Sequence, residues 1–370
     1  MRECRPYDLQ SMGRIASIGL LGVTLLLQPA CGSSRNPVSP SPAAPTAPSA
    51  VPAEPLRDAA RASGKLVGAA LQSRLLTDGR YAGVLGRHFN YLTAEYEMKW
   101  DAIERARGNN DFGAGDAIVG FGQANGMQIK GHALIWHGSV PGWAGALSAA
   151  DLRVAFDNHI RSVAEHYRGR VVAWDVVNEA VADDGSGLRD TVFRQKLGDQ
   201  YIADAFRQAR QADPQALLFY NDYGGEGLNR KSDRIYELVR GLVAQGVPID
   251  GVGLQMHITA TSPPSDASIA ANMRRLAGLG LSVNISEMDV RIRDVPGTQP
   301  VRLDVQKSVY HAVVGVCVAE PRCDGVTFWG FTDAHSWIDA QFGADDPLLF
   351  DDQYAVKPAY YGVLDALWRR

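Results

Sequence analysis

The chain has 370 residues, 46% of them hydrophobic, which is enough to bury a large core. Its 37 Lys and Arg against 41 Asp and Glu leave a formal charge of −4. That balance, without any Lys/Arg cluster able to track phosphates, argues against a nucleic-acid partner and suits a neutral or nearly neutral substrate.

Residues 1–31 read as an export signal, not as part of the fold. Arg2, Arg5 and Arg14 precede the apolar residues 15–27, a run too short to span a bilayer and the right length for the hydrophobic part of a secretory signal. Met12 is an alternative start, because the stretch before it is long and polar for such a leader. Leu27-Gln28-Pro29-Ala30-Cys31-Gly32 resembles a bacterial lipoprotein signal, in which Cys31 is acylated and becomes the mature N-terminus. An ordinary cleaved signal peptide with an incidental cysteine is the alternative. Either way the mature protein is expected to be exported, secreted or lipid-anchored at the bacterial cell envelope, with that lipid as its only membrane attachment. Residues 32–56, dominated by Pro, Ala and Ser, read as an extended linker of polyproline type. Residues 57–370 read as one folded domain, expected to be a monomer.

Strand-like and helix-like segments alternate through that domain. Strands are expected at 65–71, 88–93, 127–136, 171–179, 216–223, 249–257, 281–287 and 325–331. Phe156, Ile160, Val163 and Tyr167 recur at helical spacing after a start near Ser148. The pattern predicts the α/β class and, within it, a (β/α)8 TIM barrel. An open doubly wound sheet would want a glycine-rich loop after its first strand, and none fits.

The ends of these strands carry the chemistry. The fourth is an apolar run that stops at an amide and a carboxylate, Trp174-Asp175-Val176-Val177-Asn178-Glu179-Ala180; the seventh, Leu281-Ser282-Val283-Asn284-Ile285-Ser286-Glu287, is again an apolar strand that ends in a Glu. Two carboxylates at the C-terminal ends of two barrel strands are what glycoside hydrolysis needs. The second strand ends near Glu95-Tyr96-Glu97-Met98-Lys99-Trp100, and the third in Gly131-His132-Ala133-Leu134-Ile135-Trp136-His137. The fifth ends in Tyr220-Asn221-Asp222-Tyr223, the sixth in Gln255-Met256-His257 and the eighth in Trp329-Gly330-Phe331-Thr332-Asp333, with Trp337 soon after. Taken singly, either Glu could be half of a salt bridge at the rim and His257 a satisfied core histidine. Together they are laid out as a catalytic face. Trp174, inside its strand, is expected in the core. His132 and His137 lie five apart, a spacing that suits no metal pair, so neither a metal nor another cofactor is expected. Cys317 and Cys323, flanking a turn-like insert, read as a local disulfide in an exported protein, two free thiols being the alternative.

In order and over nearly all of residues 57–370, these stretches resemble glycoside hydrolase family 10, the retaining endo-β-1,4-xylanases. Asp346-Pro347-Leu348-Leu349-Phe350-Asp351 and Lys357-Pro358-Ala359-Tyr360 near the end belong to the same resemblance. It implies that Glu179 is the acid/base and Glu287 the nucleophile. It also implies a sugar site built from Glu95, Lys99, His132, Trp136, Asn178, Tyr223, Gln255, His257, Trp329 and Trp337. Xylan or xylo-oligosaccharides would be the substrate. Three places depart from the family pattern, one of them the loop Thr259-Ala260-Thr261-Ser262-Pro263-Pro264, which lacks the apolar residues common there. Tyr96 stands where the family usually has Asn, which is expected to reshape the site for the second sugar. Gly224-Gly225 follow Tyr223 where the family has Asn, which is expected to loosen that loop. A retaining glycosidase for another or shorter glycan is therefore a second reading. A non-catalytic glycan-binding surface protein is a third, which loss of either carboxylate would favour; both are present.

Overall fold

The computed structural model describes residues 54–368, so the predicted leader, Cys31 and all but the last residues of the linker lie outside the described residues. Nine parallel strands form one sheet: β1 Leu66–Leu71, β2 Tyr91–Ala94, β3 Gln128–Trp136, β4 Ala173–Asn178, β5 Leu217–Asp222, β6 Gly251–Leu254, β7 His257–Thr259, β8 Ser282–Arg291 and β9 Cys323–Phe328. β1 pairs with β2 on one side and with β9 on the other, and β6 pairs with β8, so the sheet closes on itself. Closure leaves the wall without an open edge. β7 sits above the wall, paired to the outer end of β8 through His257 opposite Asp289.

The barrel and its strand positions agree with the sequence pattern, and two strand limits are corrected. Residues 249–257 do not form one strand, because Met256 takes φ 67°, a left-handed value incompatible with an extended strand. The buried Glu226 carboxylate accepts the Met256 N–H at 3.2 Å and so supports the break. The second strand starts later than expected, since His88 is the last residue of the helix Gly79–His88. There the His88 ring meets the Tyr360 hydroxyl at 2.7 Å, and burial lowers its pKa to about 4, which keeps it neutral.

The helix at Ala149–Tyr167 forms as the spacing predicts. The Ser148 hydroxyl accepts the Asp151 N–H at 3.2 Å as its N-cap, and Phe156, Ile160, Val163 and Tyr167 are buried against the wall. Cys317 and Cys323 are joined in a disulfide that ties the helix Gln299–Ala319 to the start of β9. The last helix, Pro358–Trp368, packs against that helix and against the first one, Leu56–Ser63. Trp174 is fully buried, as expected, and lies over Gly131, where a Cβ would come within 2.1 Å of the indole. The barrel also encloses charge: Lys130 Nζ lies 2.7 Å from Asp175, both buried. Among the described residues no helix is long and apolar enough to cross a membrane.

Gly362 marks a close contact between helix backbones, since a Cβ there would sit 2.4 Å from the Lys307 carbonyl oxygen. Gly362→Ala is expected to lower unfolding stability by about 1–3 kcal/mol, measured by urea denaturation. Activity per folded molecule should not change, because this contact lies outside the barrel.

Candidate active site

Glu179 and Glu287 open at the same end of the barrel. Glu179 directly follows β4 and takes φ 58°, a left-handed conformation that a non-glycine residue keeps only when its neighbours hold it. Its N–H donates to the Asn221 carbonyl at 2.8 Å. Its carboxylate accepts from Trp136 Nε1 at 2.7 Å, Gln255 Nε2 at 3.0 Å and Asn178 Nδ2 at 3.2 Å. Glu287 lies within β8 and is buried. Asn221 Nδ2 donates to it at 2.6 Å and also to Asn178 Oδ1 at 2.9 Å. The Ser286 hydroxyl in turn donates to Asn221 Oδ1 at 2.6 Å. A continuous set of amides thus joins the two carboxylates and fixes their relative position.

The electrostatic surroundings of the pair are unequal. The donors to Glu179 are all neutral. Glu287 faces the His257 ring at 3.3 Å and the His132 ring at 3.9 Å, with the Lys99 charge beyond. Burial pushes the Glu287 pKa up, but His132, His257 and Lys99 together outweigh it and hold the carboxylate down at about 2. His257 shows the reciprocal effect: burial pushes its pKa down, while Asp289, at 2.7 Å, and Glu287 raise it to about 10. Its ring therefore stays protonated and donates to both carboxylates. Burial lowers the Lys99 pKa, against the pull of Glu287, Glu179 and Glu95.

Aromatic rings wall this centre. Lys99 Nζ lies 4.3 Å from the Trp136 ring centre and 5.7 Å from that of Trp329. Trp329 meets His132 edge-on at 5.1 Å. Trp337 packs edge-on to His257 at 5.0 Å and donates its N–H to Asp289 at 2.8 Å. Glu95 sits at the rim beyond Lys99 and accepts from Gln72 at 3.0 Å. The structure thus gathers Glu95, Lys99, His132, Trp136, Asn178, Gln255, His257, Trp329 and Trp337 around the two carboxylates. Tyr223 stands apart, on the Glu179 side, with its ring 3.6 Å from Lys231 Nζ and its hydroxyl bonded to Asp183. Tyr96 projects from the rim, 45% exposed.

The loop after Tyr223 is not loosened by its glycines. Gly224 donates its N–H to Glu226 at 2.9 Å, Asn229 bonds the Gly224 carbonyl at 2.9 Å, and Asn272 bonds the Gly225 carbonyl at 2.7 Å. The missing side chains admit the close approach of Ile235, 2.5 Å from where a Gly225 Cβ would be. Glycine here serves tight packing.

Sequence reasoning passed over three residues. Asn221 bridges the carboxylates, Asp289 fixes His257 and Trp337, and Asp175 holds His132 at 2.9 Å while pairing with Lys130. Strand alternation carried a signal for Asp289, two positions beyond Glu287 and so on the same face.

A closed barrel with one strongly ionised carboxylate beside a second, under tryptophan walls, defines a glycoside hydrolase. The chain belongs to glycosyl hydrolase family 10, whose profile matches residues 55–366. Endo-1,4-beta-xylanase of Agaricus bisporus is 41% identical over 312 residues, covering 83% of this chain and 92% of that protein. Native xylanase 10B from Thermotoga maritima superposes with a TM-score of 0.81 at 39% identity, covering 85% of this chain and 98% of its own. Xylanase 10B from Thermotoga petrophila RKU-1, solved in complex with xylobiose, gives 0.82 at 38% identity, with 85% and 97% covered.

The coupling of His257 and Glu287 sets a pH dependence. Glu287, lowered from 4.5 to about 2, stabilises the fold above pH 4.5, and this contribution is lost as pH falls toward 2. His257, raised from 6.5 to about 10, stabilises it below pH 6.5, and this contribution is lost as pH rises toward 10. Wild type and His257→Asn should therefore differ most in Tm between pH 4.5 and 6.5, with the gap narrowing on both sides. A gap independent of pH, measured by calorimetry, would contradict the coupling.

Proposed function

We propose that the protein is an endo-1,4-beta-xylanase that cleaves internal β-1,4 bonds of xylan or xylo-oligosaccharides with retention of configuration. The observation that carries the mechanism is the unequal setting of the two carboxylates. Glu287, kept ionised by cations, is the nucleophile; Glu179, among neutral donors, is the acid and then the base. In the first step Glu287 bonds to the anomeric carbon while the proton of Glu179 passes to the glycosidic oxygen and the leaving sugar departs. In the second, Glu179 takes a proton from water, the water oxygen bonds to the anomeric carbon, and the Glu287 ester bond breaks.

The other residues take roles that follow from their places. Asn178 contacts the sugar 2-hydroxyl, an interaction that strengthens as the ring flattens toward the oxocarbenium ion. His257 keeps Glu287 ionised and Gln255 holds Glu179. Lys99, His132 and Trp136 line the site of the sugar being cleaved, Glu95 lies toward the next one, and Tyr223 lies on the leaving-group side. Trp329 and Trp337 offer their faces to the apolar side of the sugar ring. The activity named for the relatives supports xylan as the polymer. The exposed ring of Tyr96 beside Glu95 favours a second reading, the same mechanism with a shorter or differently decorated glycan. We further propose that the mature chain is an exported monomer, secreted or held through a lipid on Cys31, with the Pro/Ala/Ser-rich linker as spacer.

Linear xylohexaose, followed by product length over time, tests the assignment. Wild type should cut internally to short xylo-oligosaccharides. Glu179→Ala and Glu287→Ala should each lose at least about a hundredfold in rate. A folded wild type that leaves xylohexaose intact would remove xylan as substrate, and one that releases only terminal sugars would establish the shorter-glycan reading.

A further inference from the structure

The peptide groups around Glu179 are secured more thoroughly than a strand end requires, and one side chain joins that anchorage to the leaving-group side of the site. Arg189 Nε donates to the Glu179 carbonyl at 3.1 Å, and its Nη2 donates to the Val181 carbonyl at 3.3 Å, to Asp183 at 2.6 Å and to the Tyr223 hydroxyl at 3.1 Å. The Arg189 N–H donates to the Ala180 carbonyl at 2.7 Å. From below, the buried Tyr220 hydroxyl accepts the N–H groups of Ala180 at 3.1 Å and Val181 at 3.2 Å, and itself donates to Asp222 at 2.5 Å. Lys231 Nζ, 2.9 Å from Asp222 and 3.6 Å from the Tyr223 ring centre, completes the cluster. The strained residue at its centre is the one whose carboxylate must reach the glycosidic oxygen.

Resting on the assignment of Glu179 as the acid, we propose that Arg189 is a positioning residue. It holds the left-handed backbone of Glu179 and, through the Tyr223 hydroxyl, fixes that acid relative to the ring beside which the leaving sugar lies. Arg189 touches no reacting atom. A guanidinium is needed because one planar group must serve two carbonyls, a carboxylate and a phenol at once, which an ammonium on a flexible stem cannot do. Without it Glu179 gains freedom to leave the left-handed region, and its proton misses the leaving oxygen by the small displacement that is enough to slow a proton transfer.

The role has a signature that a merely structural one lacks. Departure of a sugar needs a proton, whereas departure of 2,4-dinitrophenolate does not. The experiment compares kcat/KM, which reports the first bond cleavage, on xylohexaose and on 2,4-dinitrophenyl β-xylobioside. The proteins are wild type, Arg189→Met, Arg189→Lys and Glu179→Ala, each first shown to unfold cooperatively. Both Arg189 variants are expected to lose about tenfold to a hundredfold on xylohexaose and less than about threefold on the aryl glycoside. Equal loss on both substrates, or no loss on either, overturns the proposal. If Arg189→Met does not fold, Arg189→Lys alone decides. Glu179→Ala must show the same selectivity more strongly; if it loses both substrates alike, the assignment of Glu179 as the acid is what has failed.

Discussion

Setting two carboxylates side by side, one buried and the other partly buried, is costly unless each is supplied with a different compensation. Here Glu287 receives charge from His257 and Lys99, with the His132 ring beside it, and Glu179 receives neutral donors from Trp136, Asn178 and Gln255. Much of the barrel interior follows from that division. Each basic group near Glu287 is buried or largely so and needs an anion or a ring of its own. Asp289 supports His257, Asp175 supports both His132 and Lys130, and the faces of Trp136 and Trp329 receive Lys99. Charge therefore extends from the mouth down into the barrel as an alternating series. Removing one member would strand its neighbour without a partner in a medium that solvates it poorly.

The second constraint is in the backbone. Glu179 and Met256 both take left-handed φ values at the ends of strands, and Met256 directly precedes His257. Strain of this kind persists where the surroundings over-determine it, and it gathers at functional sites. Glu226 secures one break and the cluster of Arg189, Tyr220 and Asp222 the other. Both breaks turn the chain out of the strand direction at the point where a polar side chain must face its partner. The rigid wall below supplies the reference frame, because its parallel register leaves each strand end at a fixed height.

Much of this was legible in the chain itself. Glu179 and Glu287 were visible as carboxylates closing apolar runs, and the helix at Ala149–Tyr167 as a period with a serine cap. Trp174 was visible as core from its place inside a strand. His88 was misplaced because its neighbours Phe89 and Tyr91 are as apolar as a strand requires, while its ring contacts with Phe350 and Tyr360, far along the chain, leave no local pattern. Gly224 and Gly225 suggested a loose loop because glycine frees a backbone in isolation. Asn229 and Asn272, which tie that backbone down, belong to other segments.

The sequence by itself determined the alternation of strands and helices, and with it the class of barrel. It also determined which strands would end in carboxylates, because hydrophobic period and polar punctuation are local properties of a chain. The tertiary structure decided which of those ends face one another. The ladder slips between Asp175 and Val177, which lets Asn178 join Asp175 inside the barrel although strict alternation would turn one of them away. Asn221, Asp289 and Arg189 acquire their partners only when distant strands and loops close around the mouth. Their hydrogen bonds depend on distances of a few tenths of an ångström between segments remote in sequence, and no pattern along the chain encodes those distances.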